Sequence, residues 1–245
     1  MMPPWPERPA LFIDVDGTLI ALAERPGDAH PDPALLEELG ALQRGLEGAV
    51  ALVSGRTLAK LDEWFGPLEL PCAGTHGLER RRSDGGVIRA PVDPAILDRA
   101  RRCLARLKLR DPRLEIEDKG VVVAVHFGTA PEQHDLVATV LHDLAVELGA
   151  GFRLQFGHSV IELKPSRYDK GTAVAEFMKE PAFRGRVPIA IGDDLTDLDA
   201  FRAAERLGGL GIVVGDRVAG RWSFDTPRAL RDWLTSVAVA GVRAN

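Results

Sequence analysis

Two acids flank a valine in Asp14-Val15-Asp16-Gly17-Thr18, directly after the apolar run Ala10-Leu11-Phe12-Ile13. Carboxylates crowded at the end of a buried strand repel one another unless a cation joins them, and hard oxygen donors favour Mg²⁺. Three further polar clusters follow comparable positions. Ser54-Gly55-Arg56 comes after Ala49–Val53 and offers a hydroxyl and backbone N–H groups near a helix start, which suits an anion. Lys170-Gly171 opens a helical pattern, where a cation opposes the helix dipole unless it reaches an anion. Gly192-Asp193-Asp194-Leu195-Thr196-Asp197 follows Val187–Ile191 and adds three acids. Each cluster alone reads as a turn, a surface lysine or an N-cap. Together they imply Mg²⁺ and a phosphoryl group.

The elements that must position these residues alternate. Short apolar strands are expected at 10–13, 49–53, 70–73, 187–191 and 210–214. Helical patterns are expected at 33–45, 57–65, 170–179, from about 196, and at 227 to about 237. Alternating β and α predicts an α/β, Rossmann-like parallel sheet with helices on both faces, whose ligands bind beyond the carboxyl ends of the strands. The middle of the chain reads differently. An amphipathic helix at 94–109, strands at 113–119 and 121–127, a helix at 133–148 and strands at 152–156 and 159–163, turning at Gly157-His158, give helix-strand-strand twice. We therefore expect a discontinuous core, 1–90 with 164–245, and an α+β insert at 91–163.

At 245 residues with 45% apolar and 27% charged residues, the chain can bury a sizeable core. A net charge of −5 argues against a general nucleic-acid role, despite Arg80-Arg81-Arg82 and Arg99-Ala100-Arg101-Arg102. Cys72 and Cys103 form no CxxC pair and are expected as buried, reduced thiols, which fits a cytoplasmic protein. Met1 to Pro9 does not read as a signal peptide, and no uninterrupted apolar stretch is long enough for a membrane helix. The oligomeric state is left open, with a monomer as the default.

On Asp14-Val15-Asp16-Gly17-Thr18, Ser54, Lys170 and Gly192-Asp193-Asp194, present in that order, the chain resembles the haloacid dehalogenase superfamily. The resemblance implies that Asp14 is a nucleophile and that Asp16 acts as general acid, then general base. It implies that Thr18 and Ser54, with Gly55 and Arg56, hold phosphate oxygens and that Lys170 neutralises charge. It also implies that Asp14, the backbone carbonyl of Asp16, and Asp193 hold Mg²⁺, with Asp194 and Asp197 as auxiliary ligands.

From about Leu11 to Leu234 the chain looks like trehalose-6-phosphate phosphatases in particular. The supporting stretches are Val53–Arg56, Ala73-Gly74-Thr75-His76-Gly77-Leu78-Glu79, Glu117-Asp118-Lys119, His126-Phe127, Ile161–Pro165 and Gly192–Phe201. This implies hydrolysis of a sugar phosphate, trehalose 6-phosphate, as the last step of trehalose biosynthesis, with the insert closing as a cap. It also implies that Glu117, Lys119 and Glu162 bind glucose hydroxyls. Parity puts Glu117 and Lys119 on one strand face and Glu162 with Lys164 on another, although a solvated strand face would show the same pattern. His126 fits either a substrate contact or a hydrogen-bonded structural histidine. His76 matches a loop near the site and carries no assigned chemistry. The family's cap motif, E-x-K, six residues, then H-x-R, ends here in Gly128, for which Arg113 or Arg167 could stand in. Two other readings share these residues: a capped phosphatase or phosphomutase for a different sugar phosphate, and a non-catalytic sugar-phosphate sensor.

Overall fold

The computed structural model describes residues 2–22, 30–157 and 159–242. His158, half of the turn expected at Gly157-His158, lies outside the described residues. In chain order the elements are β1 (Pro9–Ile13), α1 (Pro33–Gly45), β2 (Val50–Val53), α2 (Leu58–Phe65), β3 (Cys72–Gly74), β4 (Glu79–Arg81) and β5 (Val87–Arg89). There follow α3 (Pro94–Arg110), β6 (Glu115–Asp118), β7 (Val123–His126), α4 (His134–Leu148), β8 (Phe152–Gly157) and β9 (Val160–Pro165). The chain finishes with α5 (Lys170–Phe177), β10 (Val187–Gly192), α6 (Leu198–Arg206), β11 (Leu210–Val214), β12 (Ser223–Phe224) and α7 (Pro227–Val242). Two compact units result. One comprises the residues up to Arg89 and those from Tyr168 onward, and the other is Ala90–Arg167.

The first unit is built on a sheet ordered β12-β11-β10-β1-β2-β3-β4-β5. From β12 to β3 every pairing is parallel. β1 is buried along its whole length, which explains its unbroken apolar run: a central parallel strand has no solvent face. Because the chain passes from β1 outward to β2 and β3 but from β10 outward to β11, right-handed crossovers put α1 and α2 on the face opposite α6. The order in which the chain visits the strands reverses between β1 and β10, and there the polar residues at 14 and 193 leave the sheet.

The expected core strands pair in parallel, and the sheet is extended at one edge by a hairpin that the sequence reading did not foresee. β4 and β5 form an antiparallel hairpin on the β3 edge. Their sequence, Glu-Arg-Arg and Val-Ile-Arg around Ser83–Gly86, lacks apolar alternation. β4 is fixed instead by charge. Arg80 pairs with Glu180 and Arg81 with Asp62. Glu79 accepts the Leu58 N–H at the start of α2 and bonds Arg89 across the hairpin.

The second unit is a four-stranded antiparallel sheet, β6-β7-β9-β8, with α3 and α4 packed on it. Leu97, Leu104 and Leu107 of α3 and Val137, Leu141 and Leu144 of α4 are buried. Most of them join Val123, Val125, Ile161 and Leu163 in one apolar cluster. β9 runs on to Pro165 and the unit to Arg167. Cys72 is buried as expected, whereas Cys103 on α3 is half-buried, which corrects that expectation. No helix among the described residues is long and apolar enough to cross a membrane.

Candidate active site

Asp14 leaves the end of β1, with its backbone N–H still bonded to the Ile191 carbonyl of β10. Lys170 is the first residue of α5, whose N-cap Asp169 forms a capping box with Thr172. That cap fixes the start of the helix, and the Lys170 ammonium lies 2.8 Å from Asp14 Oδ1 and 2.7 Å from Asp197 Oδ1. All three side chains are buried.

Asp197 holds the opposite wall together. Its Oδ2 accepts the backbone N–H groups of Asp193 and Asp194 at 3.0 and 3.1 Å. Asp194 caps its own loop by accepting the Thr196 N–H at 2.8 Å. Asp193 points inward. Its Oδ1 accepts the Thr18 hydroxyl at 3.3 Å, and its Oδ2 pairs with Arg217 at 2.8 Å. Gly17 makes this approach possible. Its φ of +82° is one glycine accepts freely, and a Cβ there would run into the Asp193 carboxylate.

Oxygens of Asp14, Asp193 and Asp197 lie within 4.8 Å of one another. Burial is the main influence raising all three carboxyls above the ordinary aspartate range, with neighbouring acids adding to it. Burial opposes the Lys170 charge, yet Asp14 and Asp197 outweigh it and hold the ammonium above the usual lysine range. Burial also opposes the Asp194 charge, but Lys170 and Thr196 more than offset it. The centre is thus short of positive charge, and its donors are hard oxygens. A small divalent cation fits both properties.

Asp16 does not join that cluster. Its side chain is gripped by Arg56, whose Nε and Nη2 each lie 2.6 Å from one carboxylate oxygen. Arg56 stands in the loop between β2 and α2, and its backbone N–H bonds to the buried Ser54 hydroxyl at 3.2 Å. The 73–78 loop braces this turn: Thr75 N–H donates to Arg56 O and His76 N–H to Ser54 O. Thr75 and His76 both adopt positive φ, 50° and 55°, an uncommon backbone for side-chain-bearing residues. The bend brings the His76 ring against Gly55, where a Cβ would stand 2.6 Å from Cε1. His76 is thereby packed beneath the loop that carries Ser54.

The inserted unit gathers its own polar cluster. Lys119 lies 2.6 Å from Glu162 and 3.8 Å from Glu117, and His126 Nε2 lies 2.9 Å from Glu117. The bond with His126 is the largest influence on Glu117 and holds its carboxyl below the usual glutamate range. Arg113, one candidate to stand in for an arginine at Gly128, is engaged by Asp111 and Glu132, each at 2.6 Å.

Two residues near the core centre carried no sequence signal. Arg217 lies in the loop after β11, where one more arginine looks like solvent-facing charge. Trp64 reads as part of the apolar stripe of α2, yet the Arg56 guanidinium carbon sits 4.0 Å from its ring centroid. A cation eight residues upstream of an indole is visible in the sequence, but the way the Arg56 side chain folds back over the first turns of α2 onto the ring is not.

The family model for trehalose-phosphatase matches residues 12–232. The chain is 39% identical over 236 residues to a probable trehalose-phosphate phosphatase of Sinorhizobium fredii, covering 95% of this chain and 89% of that one. It is 34% identical over 232 residues to the trehalose-6-phosphate phosphatase of Escherichia coli, covering 94% and 87%. The C-terminal domain of the C. albicans trehalose-6-phosphate phosphatase superposes with a TM-score of 0.83 at 20% identity, covering 96% of this chain and 93% of that one. A haloacid dehalogenase superfamily phosphatase of Bacteroides thetaiotaomicron superposes at 0.65 and 17% identity, covering 98% of each chain. With a buried lysine bridging Asp14, at the end of β1, and Asp197, in the loop after β10, and a family match over nearly all its length, the chain belongs to the trehalose-phosphatase family.

Proposed function

We propose that this phosphatase hydrolyses trehalose 6-phosphate to trehalose and inorganic phosphate, with Mg²⁺, through a phospho-aspartate at Asp14. The observation that carries the chemistry is the buried bridge from Lys170 to Asp14 and Asp197. It supplies a fixed positive charge where a carboxylate must approach a phosphate dianion. An oxygen of Asp14 forms the new bond to phosphorus as the P–O bond to the sugar breaks. Asp16 gives its proton to the departing sugar oxygen, because an alkoxide leaves poorly. In the second half, the Asp16 carboxylate takes a proton from water. The water oxygen bonds to phosphorus, the bond to Asp14 breaks, and phosphate leaves.

Thr18 and Ser54 are assigned to the phosphate oxygens, with the backbone at Gly55 and Arg56. Asp14, Asp193 and the backbone carbonyl of Asp16 would hold Mg²⁺, with Asp197 and Asp194 fixing the loop that carries Asp193. When bound, the cation supplies charge neutralisation between carboxylate and phosphate. Within the inserted unit, Glu117, Lys119 and Glu162 are assigned to the sugar hydroxyls, since charged groups on strand faces make strong hydrogen bonds to them. A cytoplasmic location accords with a soluble sugar phosphate and with free thiols at Cys72 and Cys103.

The test is phosphate release from a panel of sugar phosphates, with Mg²⁺ and with EDTA. Mg²⁺-dependent preference for trehalose 6-phosphate is expected. Preference for another sugar phosphate would overturn the assignment of the substrate while keeping the chemistry of Asp14. Binding without release would favour a sensor.

A further inference from the structure

Arg56 grips both oxygens of Asp16, and its guanidinium lies over the Trp64 ring at 4.0 Å. Trp64 is buried near the C-terminal end of α2, edge-on to Phe65 at a centroid distance of 6.2 Å. Its indole N–H is buried and finds no acceptor among the described residues. A tryptophan whose N–H goes unused is a poor choice for a purely apolar position, because the orphaned donor costs stability that phenylalanine would not incur. What tryptophan offers beyond phenylalanine is the strongest face for a cation. The Lys60 ammonium, 5.2 Å from the same centroid, points the same way.

The geometry has a direction. Asp16 is partly exposed and its carboxylate rotates about a single side-chain bond near Cγ. A bidentate guanidinium sets the plane of that carboxylate in its base form; when Asp16 carries the proton, only its carbonyl oxygen still accepts from Arg56, which leaves the O–H on the other oxygen free to face the leaving group. Arginine itself has a long, flexible stem, so the fork orients nothing unless it is held. Stacking on a ring anchored in the core holds it. We propose that Trp64 is a positioning residue for the general acid–base Asp16, acting through Arg56. This rests on the reading of Asp16 given above, and it adds a residue that touches neither substrate nor reacting atoms.

The test separates proton transfer from everything else by changing only the leaving group. Substituted phenyl phosphates of nearly constant size, from p-nitrophenyl to phenyl, demand increasing protonation of the leaving oxygen. The readout is the ratio of kcat/KM for phenyl over p-nitrophenyl phosphate in Mg²⁺, which does not depend on the fraction of enzyme folded. In Trp64→Leu the ratio is expected to fall about threefold to tenfold, and in Trp64→Phe by less, following the loss of cation–π attraction. Asp16→Asn should lower the ratio further, and adding Trp64→Leu to it should change the ratio no more. A wild-type or higher ratio in Trp64→Leu, alongside a lowered one in Asp16→Asn, overturns the proposal and leaves Asp16 in its role. An unchanged ratio in Asp16→Asn overturns the role of Asp16 and the proposal with it. A merely structural Trp64 would lower both rates together.

Discussion

Arg217 Nη1 lies 2.8 Å from Asp193 Oδ2, so the aspartate assigned to the cation already has a counter-charge on a neighbouring loop. Arg217 and a cation held at Asp193 would compete for the charge of one carboxylate. Arg217→Gln should therefore bind Mg²⁺ more tightly, by about threefold to tenfold, as measured by calorimetry or by thermal shift against metal concentration. Weaker binding would show instead that Arg217 holds Asp193 in its ligating orientation.

Asp14→Asn removes the proposed nucleophile and keeps the volume. Turnover should fall by roughly 10³-fold or more, with far-UV circular dichroism unchanged. The variant should also bind a sugar phosphate at least as well, because one carboxylate facing the phosphate is gone. Normal turnover would sink the nucleophile assignment.

In the inserted unit, Glu117→Ala should raise the KM for trehalose 6-phosphate about tenfold relative to that for p-nitrophenyl phosphate. Gly128→Arg should act in the opposite sense. An ideal Cβ at 128 meets nothing nearer than Ser159 Cβ at 3.6 Å, so the backbone there accepts a Cβ without a clash. An arginine there is expected to lower the KM severalfold. Equal effects on both substrates would argue against sugar recognition by this cluster.

Asp32 provides a pH prediction away from the site. It caps α1 through Leu35 N–H, and two bonds from Arg231 of α7, the largest influence on it, lower its carboxyl to about 2. A carboxyl depressed by folding adds stability above the unfolded value near 3.8, and that stability is lost as pH falls through about 2. Asp32→Asn keeps the cap but loses the charge. At pH 7 it should be less stable by about 0.5 kcal/mol, a small figure because the pair is largely solvent-screened. Urea midpoints of the two proteins should converge between pH 4 and pH 2. A constant gap across that range would mean the charge is not responsible.

Much of this was legible in the chain itself. β1 and β10 announce themselves as uninterrupted apolar runs because both of their faces are buried, and Asp14 and Asp193 follow them directly. The helix-strand-strand character of the insert follows from alternation in β6 and from the apolar stripes of α3 and α4. What escaped depends on contacts that no local pattern encodes. β4 is held to the sheet by Arg80 and Arg81, whose acid partners sit far away in sequence at Glu180 and Asp62. Cys103 sits on the shoulder of its helix, where an apolar sequence context does not guarantee burial. The engagement of Asp16 by Arg56 and the stacking on Trp64 start from a loop that the bend at Thr75 and His76 braces through backbone hydrogen bonds. That bend shows in φ angles and in no residue count.

The parallel pairing of β1 with β10 also bears on how the protein is made. On the ribosome, β1 emerges well before the inserted unit, and its neighbour on one side does not exist until residues 187–192 have been synthesised. Through that interval the nascent core carries an open, apolar parallel edge. Such edges are slow to pair and prone to capture by other chains. The inserted unit, complete in itself between Ala90 and Arg167, can fold during the wait. Trigger-type chaperones should therefore matter most while the insert is being translated, and synonymous changes that slow elongation there should lower soluble yield without touching the finished enzyme.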